Sequence, residues 1–340
     1  TAPSEVFNDT ETAIYGASEL SSIGDLAPLY CGSVNVSKAT KLTKLKVGDA
    51  KSGYSNTNLT SLSVGTNKLL SVIDVRNCPN LTAPLALANC PNIEEIYATG
   101  TAITGVELPP SGYLKKIYLP NTITNLTLRN QTHIETFSCA GYTNLTTLRI
   151  ENCVNVPIAT IVNAATNLSR VRLLNVNLSC DNAAPMKVLM NCGGLDENGN
   201  NTATAIVTGS AHIATLRPSE LSAIQTKFPN LTVTYDTLEP ECTITFKDWD
   251  GTILDTQIVE RNGNAVDPVA SGKIATPTRE STAQYDYTYS GWSGSLSSIT
   301  SDRTVTAQYT QTVRSYTIRF LNGSNVLQSS QVQYGQIPSY

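Results

Sequence analysis

The feature that most constrains this chain is a recurring apolar pattern. An apolar residue is followed by two variable residues, a second apolar residue, one variable residue and a third apolar residue. The matches are Leu42-Leu45-Val47, Leu59-Leu62-Val64, Leu70-Ile73-Val75, Ile93-Ile96-Ala98, Leu114-Ile117-Leu119, Ile123-Leu126-Leu128, Ile134-Phe137-Cys139, Leu145-Leu148-Ile150 and Leu168-Val171-Leu173. Because the last two apolar positions lie one residue apart, as on a strand with one buried face, each match predicts a short strand of a repeat array.

The spacing of the matches is uneven. Their starts lie 17, 11, 23, 21, 9, 11, 11 and 23 residues apart (for example, 93 − 70 = 23). Repeats of this type usually run about 20–29 residues, so the shortest gaps leave no room for a strand and a return segment. Two explanations are open: some matches lie on the return side of a turn of the array, or some turns are unusually tight.

Asparagine and cysteine mark the corners of the array. Asn precedes Cys in four dipeptides, and Asn-Leu-Thr or Asn-Leu-Ser triplets recur beside the strand motifs. The dipeptides are Asn77-Cys78, Asn89-Cys90, Asn152-Cys153 and Asn191-Cys192. Side-chain amides satisfy the backbone groups of a turning chain, which favours a structural role for the triplets over glycosylation. A cysteine that recurs at one repeat position is typical of a small buried filler; disulfides are the alternative, and the absence of a CxxC pair disfavours a metal site.

Composition excludes two classes of partner. The chain has 340 residues, a formal net charge of −4 and 15% charged residues, the last well below the roughly 25% of an average globular protein. Such a chain is poorly suited to hold a nucleic-acid backbone, and no apolar run approaches the roughly 18 residues of a membrane-spanning helix. We therefore expect no nucleic-acid partner and no direct membrane insertion in this segment.

Residues 41–236 resemble the bacterial leucine-rich-repeat family, including its internalin-like surface forms, through the strand motifs and the Asn-Cys corners. The resemblance implies a solenoid, irregular here because of the uneven spacing. Residues 1–40 are then an N-terminal cap or flanking segment. Within the array, helices are predicted at 158–165 and 218–228, a last strand at 231–235 and an Asn- and Gly-rich insertion loop at 181–203.

A different pattern follows a predicted linker at 237–241. The chain then alternates apolar and polar residues, and the opening at Ile244 and Phe246 recurs at Ile318 and Phe320, an offset of 74 (320 − 246). Together with Ser290-Gly291-Trp292 and the strand at 305–309, this resembles the internalin-type B repeat, also called the Listeria–Bacteroides repeat. The resemblance implies small β-grasp-like modules that act as spacers, one over 242–310 and the first part of a second over 311–340, so we expect the natural protein to continue. The expected fold class is mainly β with some α, an irregular leucine-rich-repeat solenoid followed by these repeat modules.

Few residues carry recognisable chemistry. The chain has two histidines, His133 beside an apolar strand position and His212 in a predicted Gly/Ser/Ala loop. The segment 248–251 has the acidic character of a calcium loop but lacks its Gly and Glu continuation, so a hairpin turn is favoured, and Gly193-Gly194 is interpreted as a turn. No nucleophile elbow, zinc-protease motif or P-loop is present. We therefore predict a protein that is not an enzyme and uses no cofactor.

The variable residue between the last two apolar positions of each match is predicted to face outward. The resulting row is Lys46, Ser63, Asp74, Tyr97, Tyr118, Thr127, Ser138, Arg149 and Arg172. We expect Tyr97 to neighbour Tyr118 and Arg149 to neighbour Arg172, and these residue types are enriched in binding hot spots. With flanking charges, the candidate binding face is Lys46, Asp74, Glu95, Tyr97, Lys116, Tyr118, Arg149 and Arg172. The alternative is a solvated β face without a ligand.

These patterns favour adhesion or receptor binding to a protein or glycan on a cell surface, with the repeat modules as a stalk. The expected location is extracellular, on the bacterial cell surface; the alternative is a virion. A second hypothesis is a structural component of a phage tail, baseplate or capsid decoration that packs against neighbouring virion proteins. A third is the accessory region of a glycan-processing enzyme.

Overall fold

The computed structural model describes residues 13–15, 22–23, 32–50, 55–138 and 141–340. Strands account for 41% of the chain and three helices in the described part for 8%, so the expected mainly β character is confirmed. Two compact units are present, one running to Leu216 and including Glu220–Thr237, the other containing Arg217–Ser219 and Leu238–Tyr340. The predicted N-terminal cap lies largely outside the described residues.

The first part of the chain consists of many short strands and three helices. The strands are β1 (Ala13–Tyr15), β2 (Ser22–Ile23), β3 (Ser33–Asn35), β4 (Lys44–Lys46), β5 (Ser61–Ser63), β6 (Val72–Asp74), β7 (Leu85–Ala86), β8 (Glu95–Tyr97), β9 (Val106–Glu107), β10 (Lys116–Tyr118), β11 (Asn125–Arg129), β12 (Thr136–Ser138), β13 (Thr147–Glu151), β14 (Arg170–Cys180), β15 (Gly193–Leu195), β16 (Asn201–Thr202), β17 (Ile206–Leu216) and β18 (Leu231–Leu238). The helices are α1 (Ile158–Ala164), α2 (Ala184–Asn191) and α3 (Pro218–Lys227).

Every second strand from β2 to β12 belongs to one six-stranded parallel sheet, in the order β12-β10-β8-β6-β4-β2. The register aligns residues that are 28, 23, 21 and 20 positions apart in the chain (for example, 95 − 72 = 23); they are Lys44, Val72, Glu95, Lys116 and Thr136. The next position along each strand points inward, and Leu45, Ile73, Ile96 and Ile117 are fully buried there. This alternation is the one that the apolar pattern predicts.

The short gaps between matches separate strands of different sheets. From β6 to β13 the chain alternates between the six-stranded sheet and a second line of strands, β7, β9, β11 and β13. β7 pairs with β9, the Thr124 amide donates to the Thr104 carbonyl at 2.9 Å, and β11 pairs with β13. Of the two open explanations, the return-side arrangement describes this region and the tight turn does not.

A seven-stranded sheet contains the order β11-β13-β14-β15-β16, with β17 beside β14 and β18 beside β17. The helices α1 and α3 confirm the two predicted helical segments, and β18 confirms the last predicted strand. The predicted insertion loop at 181–203 is wrong, because it contains α2, β15 and β16. Gly193-Gly194 belongs to β15 rather than to a turn, and His212 lies on β17 rather than in a loop.

Asparagine side chains stabilise the corners by bonding to the preceding turn of chain. Asn92 Nδ2 donates to the Lys68 carbonyl at 2.7 Å, and Asn167 Nδ2 donates to the Thr143 carbonyl at 2.7 Å. Another set of asparagines has positive φ, a conformation that Asn tolerates better than most residues; its members are Asn77, Asn130, Asn152 and Asn175. Asn175 Nδ2 also donates to Asn152 Oδ1 at 2.8 Å. Each corner amide therefore connects segments about one repeat apart.

The second unit contains a four-stranded mixed sheet and a separate hairpin. Its strands are β19 (Glu241–Lys247), β20 (Ile253–Glu260), β21 (Tyr285–Trp292), β22 (Arg303–Val313), β23 (Ser315–Asn322) and β24 (Asn325–Gln333). The sheet order is β20-β19-β22-β21, and β19 runs parallel to β22. The predicted linker is short, because residues 237–238 end β18 and Glu241 begins β19. Cys242, Ile244, Phe246, Ile299 and Val305 form the buried core.

The β19–β20 and β23–β24 hairpins share one irregularity. The register shifts between Phe246 and Lys247 in the first hairpin and between Phe320 and Leu321 in the second, again at an offset of 74 (320 − 246). A bulge at the same repeat position indicates that the two segments use the same local device to twist the strand. The turns differ, since residues 248–252 join the first pair of strands and residues 323–324 the second.

Candidate functional site

The six-stranded sheet carries six of the eight predicted binding residues on one outer face. Lys46, Asp74, Tyr97 and Tyr118 align across β4, β6, β8 and β10. Glu95 and Lys116 stand two residues earlier on β8 and β10 and project to the same side, as alternate residues of a strand do. The structure therefore brings these six positions together.

Tyr97 and Tyr118 form a stacked pair on this face, which confirms the prediction that they are neighbours. Their ring centroids are 5.3 Å apart and the rings are nearly parallel, at 11°. The Arg76 guanidinium carbon lies 4.7 Å from the centroid of the Tyr97 ring. Arg76 is itself fixed by Asp74, whose Oδ1 accepts from Arg76 Nε at 2.9 Å. The order along the face is thus a cation, a first ring and a second ring.

A carboxylate anchors the polar end of the pair. Glu95 Oε2 accepts a hydrogen bond from the Tyr97 hydroxyl at 2.9 Å, and Glu95 Oε1 accepts one from Lys116 Nζ at 3.0 Å. Burial alone raises the pKa of the Glu95 carboxyl, but the hydrogen bonds from Lys116 and Tyr97 hold that pKa below its ordinary value. Burial and the bond to Glu95 raise the pKa of Tyr97. Glu95 is therefore ionised and Tyr97 neutral at physiological pH.

Arg149 and Arg172 do not belong to this face, which corrects the prediction of a single outward row. They align with each other on β13 and β14 of the seven-stranded sheet, together with Thr127 on β11. The expectation that the two arginines are neighbours is confirmed. The single row was wrong because the matches belong to more than one sheet, a property that the local pattern does not encode. After Leu114, the matches at Ile123, Leu145 and Leu168 lie on the seven-stranded sheet and the match at Ile134 lies on the six-stranded sheet.

Both arginines are engaged by one carboxylate. Glu151 Oε1 accepts from Arg149 Nε at 2.8 Å and from Arg172 Nε at 2.7 Å. The same guanidinium groups donate to the Glu197 carbonyl at 2.7 Å and to the Leu195 carbonyl at 3.1 Å. Arg149 is 8% exposed and Glu151 is 7% exposed, so this cluster is largely withdrawn from solvent. These contacts indicate a structural role for the two arginines.

Sequence reasoning missed Arg76, Arg129 and Glu151. Each lies two residues beyond an outward position of the motif, where the strand alternation continues by one more step. Extending the period-2 pattern past the last apolar residue was the signal that could have found them. Glu151 has a pKa below its ordinary value: burial raises it, but the hydrogen bonds from Arg172 and Arg149 outweigh burial.

The remaining candidates for chemistry are explained by local contacts. His212 lies 3.3 Å from Asp236 Oδ2 and 3.2 Å from Thr234 Oγ1 on exposed strand surface. Asp248 accepts from the Tyr309 hydroxyl at 2.7 Å, and Asp250 accepts from the Thr252 amide at 2.9 Å, as expected of the favoured hairpin turn. Within the described ranges, no group of three or more His, Cys, Asp or Glu side chains is arranged to hold a metal ion.

The described cysteines are free thiols, as the repeat position of four of them predicted. They are Cys78, Cys90, Cys153, Cys180, Cys192 and Cys242, whereas Cys31 and Cys139 lie outside the described residues. Burial raises the pKa of the Cys90, Cys153 and Cys192 thiols. These cysteines are therefore packing residues of low reactivity.

No protein-family model matches the chain, and the search of curated proteins finds no match. In the part of the chain that the structure describes, no helix has both the length and the apolar character required to cross a membrane.

Proposed function

We propose that this protein is a non-enzymatic adhesion or receptor-binding protein of a bacterial or virion surface. In this proposal the first unit is an irregular leucine-rich-repeat solenoid that binds a protein or glycan receptor, and the second consists of β-grasp-like B repeats that act as a stalk. Strand partners 20–28 residues apart support the solenoid, and the shared bulge at Phe246 and Phe320 supports the repeat modules.

The stacked Tyr97–Tyr118 pair carries the proposal. Tyr97 is held on one face by Arg76, on the other by Tyr118 and at its hydroxyl by Glu95. A ring fixed in this way loses little conformational entropy when a partner binds. The face of Tyr118 remote from Tyr97 is directed toward β12, where Ser138 is the residue in register. A serine side chain is much smaller than an aromatic ring and Tyr118 is partly exposed, so we infer that this face offers a stacking surface.

The charged groups around the rings favour recognition by shape and stacking. Lys116 is paired with Glu95, and Arg76 is paired with Asp74. Because these two positive charges each have a carboxylate partner, the immediate surroundings of the rings carry little net charge. A flat group of a glycan ring or of a protein side chain suits such a surface, since Tyr and Arg contribute disproportionately to binding energy at protein interfaces.

A binding screen of the full chain tests this proposal. Bacterial cells, host cells and an immobilised glycan panel would be incubated with the wild type, with Tyr97→Ala/Tyr118→Ala and with Tyr235→Ala. Tyr235 is an exposed tyrosine away from the stacked pair and serves as the matched control. We expect binding that is lost in the double variant and kept in the control. Binding that persists in the folded double variant would contradict the proposal.

A structural role in a phage particle is the second candidate. It is supported by apolar side chains on the β23–β24 hairpin, where Leu321, Val326 and Leu327 are 57%, 52% and 51% exposed. Exposed apolar patches mark surfaces that pack against other proteins. The mass of the full chain in solution tests this role, since self-assembly at micromolar concentration favours it and a monomer favours the receptor-binding function.

A further inference from the structure

A small pocket opens beside β11 on the seven-stranded sheet, away from the stacked tyrosines. Its volume is about 330 Å³, and it is lined by Leu108, Pro109, Pro110, Thr127 and Arg129. Ligand-binding pockets usually start near this size, which is sufficient for a single small ring. One side of the pocket is apolar, and the other offers a hydroxyl and a guanidinium.

The two prolines explain why the strand edge is open here. β9 ends at Glu107, and the chain beside the end of β11 continues as Leu108-Pro109-Pro110. Proline has no amide hydrogen and cannot continue the ladder, so the outer side of Arg129 is not covered by another strand. The prolines are nevertheless held in place, because Gln131 Nε2 donates to the Pro109 carbonyl at 3.1 Å and Asn130 Nδ2 to the Pro110 carbonyl at 2.8 Å.

One hydrogen bond orients the Arg129 side chain and leaves its terminal nitrogens available to a ligand. Its Nε donates to Glu151 Oε2 at 3.0 Å, and its side chain is 42% exposed. Among the described residues, no group accepts a hydrogen bond from its two terminal nitrogens, and none forms a hydrogen bond with the Thr127 hydroxyl. The paired terminal N–H groups of an arginine match the two oxygens of a carboxylate.

The electrostatic environment favours an anion at this position. Glu151 is the single carboxylate that Arg129, Arg149 and Arg172 share. Three guanidinium groups share this one carboxylate, and of the three only the Arg129 side chain remains substantially exposed, at 42%. A bound anion at the open end of Arg129 would be a second partner for its guanidinium group, and partial burial strengthens such an interaction relative to open water.

We propose that this pocket binds the carboxylate of an acidic sugar. The Arg129 terminal nitrogens would bind the two carboxylate oxygens, the Thr127 hydroxyl would bond to a ring hydroxyl, and the prolines would contact the C–H face of the ring. An acidic side chain of a protein has the carboxylate but has no ring. It therefore offers neither a C–H face to contact the prolines nor a ring hydroxyl to bond to Thr127. The observations therefore favour an acidic saccharide over an acidic peptide.

Titration of the full chain with a short glucuronate-containing oligosaccharide tests the proposal. A neutral oligosaccharide of the same length and a short glutamate peptide serve as comparison probes. We expect the acidic saccharide to bind in a salt-dependent way and the other two probes to bind at least about 10-fold more weakly. Arg129→Gln should weaken binding about 10-fold or more. Arg129→Lys should weaken it less, because lysine keeps the positive charge but lacks the paired N–H groups of the guanidinium.

Two further variants make the result decisive. Arg261→Gln removes the same charge from an exposed arginine elsewhere and should leave binding unchanged. Thr127→Val keeps the Arg129–Glu151 contact and should weaken binding several-fold, which separates recognition from any loss of folding. Absence of binding by the wild type, unaltered binding by Arg129→Gln, or equal binding of the glutamate peptide would each overturn the proposal.

Discussion

Arg149 and Glu151 face the same side of β13, and Arg149 Nε donates to Glu151 Oε1 at 2.8 Å. Both side chains are largely buried, and the same oxygen also accepts a hydrogen bond from Arg172. Arg149 and Arg172, which the sequence predicts to bind a partner, are therefore part of the structural framework of the seven-stranded sheet.

Glu151→Gln is expected to lower the free energy of unfolding by about 3 kcal/mol at pH 7, because it leaves the buried Arg149 guanidinium without its carboxylate. The folded-state pKa of Glu151 lies below its ordinary value. Its stabilising contribution is therefore present above the unfolded-state pKa of about 4.3 and is lost as pH falls through the lower folded-state value. Denaturant titrations followed by circular dichroism at pH 7 and pH 3 measure both effects.

The control for this variant is Glu197→Gln, since the Glu197 side chain is exposed and only its backbone carbonyl accepts from Arg149. It should behave like the wild type. Equal unfolding free energies for Glu151→Gln and Glu197→Gln at pH 7 would contradict the structural role of the cluster.

Adjacent leucines at positions 69 and 70 test the alternation of the core. Leu70 is fully buried and Leu69 is 49% exposed. Leu70→Ala should lower the free energy of unfolding by about 2–5 kcal/mol through loss of burial and formation of a cavity, whereas Leu69→Ala should stay within about 0.5 kcal/mol of the wild type. Chemical denaturation of the two variants side by side gives the comparison, and similar losses in both would show that the register is wrong.

Tyr289 and Tyr309, two tyrosines of the second unit, differ in how their hydroxyls are satisfied. The buried Tyr289 hydroxyl has no hydrogen-bond partner in the described chain, and burial raises the pKa of Tyr289 to about 12. The Tyr309 hydroxyl donates to Asp248. Tyr289→Phe should therefore be neutral or stabilising, and Tyr309→Phe should cost about 2 kcal/mol.

Tryptophan fluorescence reports this difference selectively, because the chain has two tryptophans, Trp249 and Trp292, and both lie in the second unit. Thermal unfolding monitored in this way should give a higher midpoint for Tyr289→Phe than for Tyr309→Phe. The reverse order would refute the assignment of hydroxyl partners.

Alkylation of the native protein tests the packing role of the cysteines. Cys78, Cys153 and Cys192 are buried, and burial together with the charge of Asp181 raises the pKa of the half-buried Cys180 to about 11. We expect these four residues to react slowly with iodoacetamide at pH 8 and rapidly in denaturant, since the thiolate is the reactive form. Peptide-resolved mass spectrometry distinguishes them from the other cysteines, and native labelling of Cys78 as fast as in denaturant would contradict the account.

The local part of the fold could be predicted from the sequence, because strand alternation is a period-2 signal. This alternation predicted Ile96 to point inward and Tyr97 outward, and in the structure Ile96 is fully buried and Tyr97 is partly exposed. Sheet membership could not be predicted, since the Leu114 and Ile123 matches look alike although β10 and β11 belong to different sheets. The helix α2 was missed because the buried Met186 and Leu189 stand among Asn and Gly residues that favour a loop.

The candidate site shows the same division. The neighbours Tyr97 and Tyr118 followed from a gap of one full repeat, as did Arg149 and Arg172. The role of Arg149 did not follow, because its second acceptor, the Glu197 carbonyl, lies 48 residues further along the chain. Contacts across such a separation depend on the path of the intervening segment, which short-range patterns do not define.

The most direct test of the central claim compares Tyr118→Ala with Arg149→Ala in equilibrium binding to the panel of bacterial cells, host cells and immobilised glycans. Unfolding curves of both variants allow the measurement to be restricted to folded protein. The account predicts that Tyr118→Ala binds at least about 10-fold more weakly with unchanged stability, while Arg149→Ala is less stable but binds normally when folded. Normal binding by Tyr118→Ala, together with loss of binding by folded Arg149→Ala, would show that the binding surface lies on the seven-stranded sheet and would contradict the account.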